Sequence, residues 1–170
     1  AGPGVDGREV LHLQLRLMLQ VQGVSQELME QALAQQLELF EVLGGEREGV
    51  KLSARLEAAK AQVDSAWMRW FLTYDPAPTL RRVACPVLAV NGAKDLQVDA
   101  DQNLPAIAAA LEAGGAKDFQ TVKLPELNHL FQHCQTGAVT EYGQIEETLA
   151  PEFLEAATKW LQVRLTMAER

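Results

Sequence analysis

Residues 83–98 read VACPVLAVNGAKDLQV and determine the fold expected for this chain. Pro86 suits the first residue of a strand because proline fixes φ and has no N–H to donate. The apolar run at 87–90 is too short for a helix and is rich in β-branched valine, which predicts a parallel-sheet strand covered on both faces. Ligands bind such sheets beyond the carboxyl ends of the strands. Asp95 follows this strand closely and is therefore placed for chemistry.

A second strand is predicted at 119–124, FQTVKL, where apolar and polar residues alternate. A predicted helix over residues 103–113 separates the two strands. A strand-helix-strand unit is nearly always right-handed, and its strands pair in parallel. The carboxyl ends of both strands then lie at one edge of the sheet, which predicts that His129 comes close to Asp95.

Asp95 and His129 are the candidate catalytic acid and base. An aspartate that accepts a hydrogen bond from imidazole Nδ1–H fixes the tautomer and stabilises the imidazolium, which leaves Nε2 free to take a hydroxyl proton. The alternative interpretation is structural. In that case Asp95 caps a turn, and His129 is a loop histidine with a main-chain partner.

Two motifs in this region resemble those of the α/β-hydrolase family. They are L-x-x-V-x-C-P-V-L-x-x-N-G-x-x-D at residues 80–95 and L-x-x-L-N-H-L-F at 124–131. The resemblance implies a Ser, Asp and His triad, with Asp95 as the acid and His129 as the base. The family's nucleophile sits on a G-x-S-x-G elbow that precedes the acid, and this pentapeptide does not occur in the sequence.

The resemblance therefore implies the C-terminal part of an esterase-like serine hydrolase of α/β fold. Residues 1–74 are expected to form a helical cap, and 75–170 a β-α-β-α segment with parallel strands. Without a nucleophile the chain is expected to be inactive alone. The intact parent would hydrolyse a small ester or acyl substrate and would need no cofactor or metal. Its compartment, cytoplasmic or secreted, stays open.

Two kinds of partner follow from the same resemblance. The chain would pair either with the missing N-terminal hydrolase portion or with a second copy in a homodimer formed through the strand at 86–90. A different class of function is also open: a stand-alone truncated module that uses the cap and the sheet edge for binding or assembly. Cys134 is the nearest local alternative nucleophile, since Ser25, Ser53 and Ser65 all fall at predicted helix starts.

The first 63 residues are predicted to be mainly helical, and a short aromatic helix is expected at 66–73. Trp67, Trp70 and Phe71 are expected to be core side chains, with one ring lining a pocket as the alternative. The second helix is predicted to bury Leu28, Ala32, Leu39 and Leu43. A last helix over 151–164 is predicted to pack through Phe153, Leu154, Ala157, Trp160 and Leu161.

Charge and composition exclude several function classes. The net charge is -8, and the Lys and Arg residues are dispersed, which argues against a nucleic-acid partner. No apolar stretch approaches the roughly 18 residues of a membrane span. Two cysteines cannot form a disulfide framework. The H-x-x-x-H-C sequence at 129–134 has no second pair of ligands, so a metal site is not expected.

Overall fold

The computed structural model describes residues 2–47 and 49–168, which divide into two units. The first unit comprises residues 5–76 and is helical. The second comprises residues 2–4 and 77–168 and contains the sheet. Within the described residues, no helix is both long enough and apolar enough to cross a membrane.

Short polar side chains begin the helices of the first unit. Asp6, Ser53 and Ser65 each accept a hydrogen bond from the main-chain N–H three residues further on. These bonds pair donors that a helix start otherwise leaves without a partner. The helices described in this unit are α1 (Gly7–Val21), α2 (Gln26–Leu43), α3 (Ala54–Val63) and α4 (Ala66–Thr73).

The buried face of α2 differs from the predicted face. Leu28 was expected to be buried but is 58% exposed. The residues that α2 buries are Met29, Leu33, Phe40 and Leu43. Adjacent apolar residues occur at 28–29, 32–33 and 39–40, so two stripes about 100° apart both satisfy the helical period. The sequence pattern alone could not choose between them.

The prediction that the tryptophans of α4 belong to the core is wrong. Trp67 is 60% exposed and Trp70 is 53% exposed. Trp67 stacks on Phe71 with ring centroids 5.0 Å apart, and Trp70 stacks on Tyr74 at 4.5 Å. Leu72 is the fully buried side chain of this helix and packs with buried residues of α2. An eight-residue helix buries one narrow face, and Leu72 lies on it.

The second unit has the predicted order of strand, helix, strand and helix. Its strands pair in parallel, with Val87 opposite Phe119 and Gly92 opposite Leu124. The chain is therefore α/β in the general sense. The described elements of this unit are α5 (Ala77–Leu80), β1 (Val87–Gly92), α6 (Ala100–Ala113), β2 (Phe119–Leu124), a 3₁₀-helix (Val139–Gln144) and α7 (Pro151–Ala168).

The helices of this unit are longer than predicted. Helix α6 begins at Ala100 because the Asp99 side chain accepts a hydrogen bond from the Gln102 N–H at 2.8 Å and caps the helix. In α7, two residues that were expected to pack are exposed: Leu154 is 49% and Leu161 is 51% exposed. The predicted packing face of α7 is therefore wrong at both leucines.

Candidate functional site

Asp95 is held by the turn that follows β1. Its side chain is 2% exposed, and Oδ1 accepts hydrogen bonds from the main-chain N–H groups of Gln97 at 2.8 Å and Val98 at 2.9 Å. Two main-chain donors fix the carboxylate plane and compensate for its burial. The second oxygen, Oδ2, remains available to other partners.

His129 meets that second oxygen. Its Nδ1 lies 2.9 Å from Oδ2 of Asp95, so the hydrogen bond predicted from the sequence is present. An ionised carboxylate only accepts, so a neutral ring bonded to it would carry its proton on Nδ1 and leave Nε2 as an acceptor. The imidazole is 26% exposed, whereas the carboxylate is buried. The pair therefore joins a buried carboxyl group to a ring that is partly open to solvent.

Asn91, at the end of β1, is a further residue of this site. Its Nδ2 donates to Val98 O at 2.5 Å and to Oδ2 of Asp95 at 3.3 Å. The residue is 1% exposed, and its Oδ1 is buried without a partner among the described residues. Its sequence position places Asn91 in the ligand crevice expected at the carboxyl end of the strand, but does not predict its hydrogen bonds to Asp95 and Val98.

The loop that carries His129 is built on Asn128. This side chain is fully buried, and its Oδ1 accepts from the N–H groups of Leu130 at 2.9 Å and Gln132 at 3.0 Å. Phe131 adopts φ of 57°, in the left-handed region that non-glycine residues seldom occupy. The hydrogen bonds to Asn128 hold the loop in this conformation, including the left-handed backbone at Phe131, and so fix the position of His129.

Gly92 allows β1 to approach this loop. A Cβ at this position would lie 2.2 Å from Leu127 O and 2.6 Å from Asn128 O. Both atoms belong to the main chain, so no side-chain rotation could relieve the clash. Glycine is therefore required at Gly92 if Asp95 and His129 are to meet.

Tyr142 lies beside the pair, in the 3₁₀-helix. Its hydroxyl accepts a hydrogen bond from Nε2 of Gln97 at 3.0 Å. Burial raises the pKa of Tyr142, and the charge of Asp95 acts in the same direction, while hydrogen bonds from Gln97 and from the His129 main chain oppose them. The phenol stays protonated and can donate. Sequence reasoning missed Tyr142 because no periodicity marks this polar stretch.

No protein-family model, curated protein or solved structure matches this chain. What the site can do follows from its own geometry. The Asp95 and His129 arrangement can accept a proton at Nε2 and stabilise the resulting imidazolium. Across residues 2–47 and 49–168, no group of three or more His, Cys, Asp or Glu side chains is arranged to hold a metal ion.

The other candidate residues lie outside this arrangement. The pKa of the Cys134 thiol is raised by burial, which reduces the fraction of reactive thiolate. His133 is exposed and pairs with Glu147 at 3.0 Å. Ser53 and Ser65 lie in the helical unit, where each hydroxyl caps a helix.

Proposed function

We propose that Asp95 and His129 are the acid and base of an acyl-hydrolase triad of the α/β-hydrolase type. The substrate class is carboxylic esters or related acyl compounds. The observation that supports this proposal is the 2.9 Å bond between the buried Asp95 carboxylate and Nδ1 of the partly exposed imidazole. General-base catalysis at a hydroxyl nucleophile needs this orientation of the ring.

The proposed chemistry runs through Nε2 of His129. This nitrogen takes the proton of a hydroxyl nucleophile as the hydroxyl oxygen attacks the acyl carbon, and it later returns the proton to the leaving group. Between these steps the ring is cationic. The Asp95 carboxylate stabilises the imidazolium because two main-chain donors already hold it in place, so it does not have to reorganise when the charge forms.

The nucleophile and the oxyanion-binding donors are proposed to come from polypeptide outside this chain. The chain has three serines, and none lies in the unit that contains Asp95 and His129. On this proposal the chain alone forms no acyl-enzyme. A binding or assembly module is the second candidate function, and the open edge of β1 described below favours it.

Ester hydrolysis tests the proposal. The chain alone should release no burst of nitrophenol from a nitrophenyl ester. A longer product of the encoding gene that includes a G-x-S-x-G elbow should show a burst, and Asp95→Asn should lower kcat by roughly 10⁴-fold. His129→Ala should have an effect of similar size. His133→Ala is the matched control, because this exposed histidine also pairs with a carboxylate.

Two results would contradict the proposal. One is a gene whose product contains no such elbow. The other is hydrolysis that survives His129→Ala. A burst from the chain alone would show that the nucleophile belongs to this chain, and Cys134→Ser would then test whether it is the Cys134 thiol.

A further inference from the structure

Strand β1 has one edge without a partner strand. In the described sheet β1 pairs only with β2. Val87 N–H donates to Asp118 O at 3.0 Å and Ala93 N–H donates to Leu124 O at 2.8 Å, so the odd-numbered residues of β1 face β2. The main-chain N–H and C=O groups of Leu88 and Val90 therefore point to the opposite edge. Within the described residues, no hydrogen bond from another segment reaches them.

An apolar groove of about 460 Å³ runs along this edge. Five consecutive residues of β1, 87–91, form part of its lining. Leu104 and Ile107 of α6 line it, and so do Phe153 and Ala157 of α7. Among the described residues that line the groove, none is charged. The groove thus exposes an unpaired main-chain edge between apolar helix side chains.

The two strands differ in the kind of edge they present. Gln120 and Lys123 are exposed on β2, and Lys123 is paired with Asp101, as is typical of a strand at the end of a sheet. Residues 87–90 of β1 are all apolar, as in a strand with neighbours on both sides. The free edge of β1 therefore has the character of a sheet interior.

We propose that the free edge of β1 binds a further β-strand from a different polypeptide segment, uncharged, apolar on both faces and parallel to β1. Only an extended peptide main chain offers donors and acceptors that match Leu88 and Val90, which repeat every two residues, about 6.6 Å along the strand. The parallel direction is the one that α6, α7 and the parallel pairing of β1 with β2 favour, because helix-covered sheets are predominantly parallel.

Asn91 adds a polar group to the same groove. It lines the carboxyl end of the groove, and its Oδ1 is a buried acceptor without a partner in the described part of the chain. Buried acceptors are normally hydrogen-bonded. A donor supplied by the incoming strand would give this oxygen a partner. The inference does not depend on the catalytic roles of Asp95 and His129.

A second copy of this chain fits the groove less well. In a two-fold dimer the copies of β1 would run antiparallel, and each would bring its own α6 and α7. The helices over the faces of β1 instead favour a parallel neighbour.

Amide exchange measured by NMR tests this proposal on the full chain. The probe is an acetylated, amidated peptide, Lys-Val-Leu-Val-Ile-Lys, whose four central residues are the uncharged apolar strand and whose terminal lysines lie outside it and keep it in solution. At saturation it should slow exchange of the Leu88 and Val90 amides by about tenfold or more, because those amides gain acceptors. The amides of Ala89 and Asn91, which already face β2, should change little.

Two controls separate strand pairing from nonspecific apolar binding. The same peptide N-methylated at its two central residues keeps its side chains but cannot pair, and it should not protect Leu88 or Val90. Ala157→Phe should fill the groove and weaken binding of the unmodified peptide by about tenfold or more, whereas Thr158→Phe on the exposed face of α7 should not.

Three results would overturn the proposal. The first is an absence of protection by the unmodified peptide. The second is equal protection by the N-methylated peptide. The third is a dimer in sedimentation equilibrium whose Leu88 and Val90 amides are already protected, which would assign the edge to a second copy. The N-methylated control requires no variant, so it holds even if Ala157→Phe does not fold.

Discussion

Removing the Asp95 carboxylate should destabilise the sheet unit measurably, even though the residue is proposed to be catalytic. Asp95→Ala leaves the main-chain N–H of Val98 buried without an acceptor. It also removes the acceptor of the Gln97 N–H and the partner of the imidazole. Asn91 Nδ2 keeps its bond to Val98 O and is not left without a partner.

The size of the effect follows from these groups. A buried donor left without a partner costs about 1–3 kcal/mol, and the less buried Gln97 N–H contributes a smaller amount because it can bind water. We expect Asp95→Ala to lower the free energy of unfolding by about 2–4 kcal/mol. Asp95→Asn keeps an oxygen for both main-chain donors, so its loss in free energy of unfolding should be smaller than that of Asp95→Ala by at least about 1 kcal/mol.

Urea unfolding followed by fluorescence measures both values. The background should carry Trp67→Phe and Trp70→Phe, because Trp160 then reports only on the unit that contains Asp95. Asp101→Ala is the matched control: its side chain is 78% exposed, and the change should stay within about 0.5 kcal/mol. Equal losses for Asp95→Ala and Asp95→Asn, or no loss for either, would contradict this role of the Asp95 oxygen atoms.

Two further predictions concern residues near the site. A hydrogen bond to the Glu147 side chain raises the pKa of His133 above its ordinary value of 6.5. The pair therefore stabilises the folded state fully below pH 6.5, and this stabilisation is lost as the pH rises through the raised pKa of the folded state. Glu147→Gln should return this pKa towards 6.5 in an NMR titration, and an unchanged titration would contradict the assignment. Burial raises the pKa of Cys134, so iodoacetamide near neutral pH should alkylate Cys134 more slowly than the exposed Cys85. Faster reaction at Cys134 would reopen the case for a local thiol nucleophile.

The sheet could be predicted from the sequence because its signals are local. Pro86 and the apolar run 87–90 specify β1, and strict alternation specifies β2. The crossover rule then gives the parallel pairing without any further information. The same rule places Asp95 and His129 at one edge of the sheet, and the structure contains the predicted hydrogen bond between them.

Features that depend on packing partners could not be predicted in this way. The burial of Met29 rather than Leu28 depends on the element against which α2 packs, and the helical period alone does not distinguish these two faces of the helix. Trp67 and Trp70 are large and apolar, yet the narrow core face of α4 is occupied by Leu72. Size and hydrophobicity set only an average tendency to be buried.

The residues around Asp95 and His129 were missed for a related reason. Tyr142 comes close to His129 through the 3₁₀-helix over Val139–Gln144, whose polar sequence carries no periodic signal. Asn91 was visible as a strand-end residue, but its bonds to Asp95 and Val98 depend on how the following turn folds back. Long-range contacts of this kind are decided by tertiary structure.

The protonation of the His129 ring tests the central claim most directly. The claim is that Asp95 holds the neutral imidazole with its proton on Nδ1, so that Nε2 is free to act as the base. Nitrogen-15 NMR of the neutral ring distinguishes the two tautomers. We expect a hydrogen-bonded Nδ1–H in the native chain and conversion to the Nε2–H tautomer in Asp95→Asn, because the new amide presents a donor to Nδ1. A native ring that already carries its proton on Nε2 would contradict it.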